Sequence, residues 1–192
     1  INENKLYTLI VNPGEKEYKQ ESNSTITVTA PEVNYAVSFE ANGGNSVTSQ
    51  LSKREFYSWT LNGSGKIENN KLATTKYIFG TSNSTLTANY NATGNSITLP
   101  NSEKEGYIVE GWYDTEDLKN KVGNVGDVFS PTGDTTLYAK WINEIVEPTG
   151  ISISKNNIKI DISANKVEEL SAKITPANSN YNNKLIWKSS NA

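Results

Sequence analysis

Polar and apolar residues alternate in short runs along this chain: "LYTLIV" (6–11), "STITVTA" (24–30), "YAVSFEA" (35–41), "EFYSWTL" (55–61), "KYIFG" (76–80), "TLTANY" (85–90), "NSITLP" (95–100), "YIVEGWY" (107–113) and "TLYAKW" (136–141). Short alternating runs rich in Thr, Val, Ile and aromatics predict half-buried strands. Turn formers separate them: Asn-Pro-Gly (12–14), Asn-Gly-Gly (42–44), Asn-Gly-Ser-Gly (62–65) and Thr-Gly-Asp (132–134). The expectation is a mostly β, mostly antiparallel fold. Only "DTEDLKNK" (114–121) departs, and it reads as a loop or one short helix.

The pattern also repeats. Trp59 recurs as Trp112 at an offset of 53, and Leu86–Tyr90 in "STLTANY" recurs as Leu137–Trp141 in "TTLYAKW" at 51. "GNSVTSQ" (44–50) likewise matches "GNSITLP" (94–100) at 50. Matches in one order at a nearly constant offset predict small units used more than once. After Trp141 the texture changes. "INEIVEPTG" (142–150) reads as a linker, and strand-like runs resume at "ISISK" (151–155), "NIKID" (157–161), "VEELSAKITP" (167–176) and "KLIWKSSNA" (184–192).

Composition narrows the chemistry. Only 35% of the 192 residues are hydrophobic, which suits several thin cores better than one thick one. Net charge is −3 with no basic run, so nothing marks a nucleic-acid surface, and no apolar run approaches a membrane span. The chain has no Cys, His or Met. Without them there are no disulfides, no thiolate or imidazole metal ligands and no Ser-His-Asp arrangement. The lack of an initiator Met implies an internal or processed piece of something longer.

The runs "FEANGG" (39–44), "GYIVEGWY" (106–113) and "KVGNVGDVFSPTGDTTLYAKW" (121–141) resemble the Listeria–Bacteroides repeat, also called the internalin B-repeat family. "FYSWTLNGSGKI" (56–67) and "YIFGTSNSTLTANY" (77–90) resemble a divergent copy, which lacks the Gly-Tyr before its strand and ends in Tyr90 where the family has Trp. "GISISKNNIKI" (150–160), "LSAKITPANS" (170–179) and "LIWKSSNA" (185–192) resemble the first half of a bacterial immunoglobulin-like domain of group 2. The expected division is a divergent repeat at 1–91, a second repeat at 92–142, a linker at 143–149 and a truncated immunoglobulin-like module at 150–192.

The resemblance implies tandem β-grasp-like units plus a partial immunoglobulin-like β-sandwich, stacked as a rod. It implies a bacterial surface or secreted protein, mostly of Gram-positive cells, in which the fragment is a non-catalytic stalk and accessory adhesion module. Partners would be host-surface or cell-wall glycans or proteins, with no nucleic acid, no membrane insertion and no cofactor. The alternative is a carbohydrate- or receptor-binding module using surface aromatics.

Individual residues bear on both functions. Trp59, Trp112, Trp141 and Trp187 could stack on sugar rings, yet the first three sit where the repeat needs large core side chains. Tyr113 should face away from Trp112, because neighbours on a strand point oppositely, which makes it the ligand-contact candidate. Glu103/Glu105, Asp114/Glu116/Asp117 and Glu168/Glu169 supply the carboxylates that glycoside hydrolysis or Ca²⁺ would require, without cation-wrapping spacing. "GSGK" (63–66) lacks the rest of a phosphate loop and reads as a hairpin turn. Asn23, Asn83 and Asn91 head glycosylation triplets, and a Lys–Asn isopeptide cross-link needs a buried Lys, Asn and carboxylate together. No residue is expected to be catalytic or to hold a metal.

Overall fold

A computed structural model describes residues 6–21, 24–155, 157–158, 163, 167, 169–181 and 184–188. It forms two compact units, one of residues up to 105 with 109–141, the other of 106–108 with the chain from 142 onward. The fold is mostly β. In chain order up to Asn143 the strands are β1 (Thr8–Asn12), β2 (Lys16–Lys19), β3 (Thr25–Thr29), β4 (Asn34–Glu40), β5 (Gln50–Ile67), β6 (Thr74–Gly94), β7 (Ile97–Thr98), β8 (Tyr107–Tyr113), β9 (Lys121–Gly123), β10 (Val128–Phe129) and β11 (Thr135–Asn143). One nine-stranded sheet runs β2-β1-β6-β5-β4-β11-β8-β9, with β3 also paired to β6, and β7 and β10 form a small ribbon.

Alternation explains the short strands. Leu9 and Val11 in β1, Val28 in β3, and Leu137 and Ala139 in β11 are buried at every second position, with Thr and Tyr neighbours turned away. β5 and β6 are far longer, at 18 and 21 residues, and absorb segments that the sequence pattern treats separately.

The stretch "NGSG", expected as a hairpin turn, lies inside β5, and the reversal falls at residues 68–73 instead. The register explains this. Between Gly63↔Ser84 and Gly65↔Phe79 the pairing advances two residues on β5 and five on β6, leaving β6 three residues in excess. An odd excess reverses the alternation, so Thr75, Tyr77 and Phe79 before it and Ser84, Leu86 and Ala88 after it are all buried. Ser64 fills the bulge: its Oγ accepts from the Thr81 and Ser82 amides at 2.8 and 2.7 Å. Gly63, at φ +117°, admits no side chain, since a Cβ there would lie 2.6 Å from Ser84 Oγ.

Two cores lie on this sheet. The first holds Leu9, Val11, Val28, Trp59, Tyr77, Phe79, Leu86 and Ala88. The second holds Val37, Ile97, Leu99, Trp112, Leu137 and Ala139, flanked by Phe39, Val47, Phe129 and Trp141. "STLTANY" and "TTLYAKW" do the same job in each: Leu86/Ala88 and Leu137/Ala139 point inward, and each strand pairs in parallel with the opening strand of its core. Trp59 and Trp112 correspond as well, their indole N–H groups donating to the carbonyls of Leu72 and Pro100 at 2.9 and 2.8 Å.

The cores do not divide the chain at residue 91. β4, which carries the Phe39 end of "FEANGG", pairs with β11 and packs into the second core, whereas β5 and β6, which follow it in the chain, build the first. Val47 of "GNSVTSQ" and Ile97 of "GNSITLP" therefore belong to one core, so that match does not relate two units. "DTEDLKNK" is a loop with Leu118 at φ +55°.

The second unit contains β12 (Gly150–Ile153) and β13 (Ala172–Thr175), antiparallel with Ile151 opposite Ile174. Ile174 is buried, whereas Ile151, Ile153, Ile186 and Trp187 are exposed. Part of the expected linker is tied into this unit, since Thr149 N–H donates to Thr175 O at 2.7 Å and Tyr181 OH to Glu147 at 3.1 Å. The run 184–188 is described without a strand, and most of "NIKID" together with Glu168 and Asn23 lies outside the described residues.

Candidate functional site

The second core carries a charged cluster on the strands around Tyr113. Glu110 on β8 accepts a hydrogen bond from the Tyr113 hydroxyl on Oε2, and Lys121 of β9 donates to its Oε1 at 2.9 Å and its backbone carbonyl at 2.7 Å. Lys140 of β11 lies 3.7 Å from Glu110 Oε2, and its Nζ sits 5.2 Å from the Tyr113 ring centroid. Hydrogen bonds from Tyr113 and then Lys121, with both ammonium charges close by, hold the Glu110 carboxyl below its ordinary range.

This arrangement corrects the expected exposure of Tyr113, which is only 4% exposed. Glu110 holds the Tyr113 hydroxyl and Lys140 lies over its ring, so the face opposite Trp112 is covered by neighbouring side chains. The Tyr113 face is not available for stacking on a sugar. Glu110, Lys121 and Lys140 had no motif to announce them; the outward position of Lys140 follows from the inward Leu137 and Ala139, but its pairing to Glu110 depends on which strand lies beside β11.

The tryptophans divide by environment. Trp59 and Trp112 are buried, Trp141 is half-buried with its N–H on Ala41 O at 2.8 Å, and Trp187 is 54% exposed in the second unit. Of the tyrosines in the first unit, Tyr57 is 60% exposed and Lys71 Nζ stands 4.2 Å from its ring centroid.

The other candidates are occupied with structural bonds. Asp114 and Asp134 line a cleft of about 320 Å³ with Ser130 and Thr132, but Asp114 accepts from Asn120 Nδ2 at 2.6 Å and Asp134 from the Ala36 amide at 2.8 Å. Asp117 pairs with Lys119 at 2.7 Å. Among the described residues no three Asp or Glu side chains gather as a cation site. Asn83 Oδ1 holds the Thr8 amide at 3.0 Å. The lysines of the ion pairs found among the described residues have side chains 35% or more exposed, unlike the buried Lys an isopeptide bond requires. No described helix is long and apolar enough to cross a membrane.

The family model of the Listeria-Bacteroides repeat domain matches residues 76–140, from early in β6 to near the end of β11. That repeat is a non-catalytic type found in bacterial surface and secreted proteins. No curated protein and no solved structure matches the chain.

Proposed function

We propose that residues 6–141 act as a stalk or spacer, with an accessory adhesive role, in a bacterial cell-surface or secreted protein of the internalin B-repeat kind. The observation that carries this reading is the pair of similar cores carried on one sheet. β5 and β6 build the first core and β5 pairs with β4, the opening strand of the second, so one continuous sheet joins the two cores and no linker separates them. The family match supports the extracellular setting. Parallel pairing of first and last strands in each core supports a β-grasp-like description. Residues 150–192 complete the proposal as the first half of an immunoglobulin-like module of group 2, on the sequence resemblance.

The reaction partners of such a region are surfaces, and avidity along repeated units would make weak contacts useful. The test is binding of the whole chain to a glycan array, purified peptidoglycan and host cells. The expected result, from the folded protein, is at most weak binding that does not saturate, as befits an accessory contact. Saturable binding to one ligand class would overturn the spacer reading in favour of a carbohydrate- or receptor-binding module.

A further inference from the structure

The order of strand directions in the first unit determines how it meets tension. β1 runs parallel to β6 over Leu9↔Ser84 to Asn12↔Thr87, and β11 runs parallel to β4 over Thr135↔Val37 to Tyr138↔Glu40. Between them β6 is antiparallel to β5, and β5 to β4. β1, β6, β4 and β11 therefore all point one way. Tension along the chain enters at the start of β1 and leaves at the end of β11, pulling those two strands in opposite senses along their own axes.

Each of these two strands, β1 between β2 and β6 and β11 between β4 and β8, can then move along the pull only by sliding past its parallel partner. In sliding, the ladder bonds lie across the force and share the load together, whereas in peeling they are loaded one after another. The inward side chains oppose the slide as well: Leu9, Val11 and Leu86 in one pair, and Val37 and Leu137 in the other, are all at most 1% exposed. Side-chain bonds tie the pairs further. Asn83 holds the Thr8 amide at 3.0 Å at the start of β1. Asp134 holds the Ala36 amide, Asn42 Nδ2 donates to Ala139 O, and Trp141 Nε1 donates to Ala41 O, each at 2.8 Å, along β4 and β11.

We propose that β1 on β6 and β11 on β4 are two mechanical clamps in series, making this unit a load-bearing element that resists end-to-end pulling. The β4–β11 clamp, with three such side-chain ties against one, is the stronger, so the β1–β6 clamp yields first. The proposal rests on the stalk reading only for the source of the tension.

The chain has no native Cys, so paired Cys substitutions can serve as handles in single-molecule force measurements on the whole chain. Leu6→Cys with Asn143→Cys pulls in the sliding sense, and Leu6→Cys with Thr81→Cys peels β1 from β6 at one end; all three positions are exposed. Sliding should require a clearly higher unfolding force than peeling at the same pulling rate. Glu32→Cys with Asn143→Cys against Glu32→Cys with Thr132→Cys makes the same comparison for β4 and β11 with other handles, and its sliding force should exceed that of the first pair. Equal or lower forces in the sliding geometry, from chains shown to be folded by circular dichroism, overturn the clamps and leave the stalk reading intact. High sliding force together with saturable ligand binding overturns the stalk reading and leaves the clamps.

Discussion

The first core, around Trp59, and the second, around Trp112, use the same parts and close them differently. Each has an indole donating to a loop carbonyl, an inward Leu-x-Ala strand, and an opening strand paired in parallel with a closing one. The first core is closed by a long ribbon whose alternation is reset by a three-residue bulge around Ser64. The second is closed by short strands, the β7–β10 ribbon and the Glu110 charge cluster. The comparison shows that the inward side chains define this kind of unit, while the outer closure is free to vary. Packing depends on volume and burial, which few alternatives satisfy, whereas exposed backbone can be satisfied by water, by Ser64 or by a lysine.

If the cores are equivalent, Trp59→Ala and Trp112→Ala should each cost about 3–5 kcal/mol, measured by urea unfolding. A much smaller loss at one of them breaks the equivalence at its most buried point. Leu86→Ala and Leu137→Ala should follow at about 2–5 kcal/mol each, and unequal values would locate the looser core. Gly63→Ala tests what is peculiar to the first core. Its positive φ and the closeness of Ser84 predict a loss of about 1–3 kcal/mol, with hydrogen exchange rising around residues 79–84 and unchanged around Trp112.

The smallest effect belongs to the second core. A carboxyl whose folded pKa is depressed contributes stability above its unfolded value and loses it as pH falls through the folded one. Glu110 lies below its ordinary 4.5, so wild type should exceed Glu110→Gln by a constant margin at neutral pH that shrinks only in acid below that value. The side chain is 27% exposed, so solvent keeps the margin modest. A margin that shrinks instead between pH 6 and 8 would show that another group controls it.

Much of this protein was legible from local pattern. The mostly β class, most strands of the first unit, the correspondence of "STLTANY" with "TTLYAKW", and the core positions of Trp59 and Trp112 all follow from alternation and repeat spacing. Those properties are encoded residue by residue, because side-chain direction in a strand has a period of two. The assignment of β4 to the second core was not legible, since the parallel β4–β11 ladder joins residues nearly 100 positions apart and parallel pairing leaves no turn signature. Nor was the bulge at Ser64, where Asn-Gly-Ser-Gly has the composition of a turn and only the partner strand shows that β5 continues. Tyr113 illustrates the same limit at the scale of one side chain. The sequence determined that it neighbours Trp112 on a strand, and the tertiary structure decided that Glu110 and Lys140, one of them from another strand, would cover it. Periodicity specifies which face a residue takes; what covers that face is set by strands brought together across the chain.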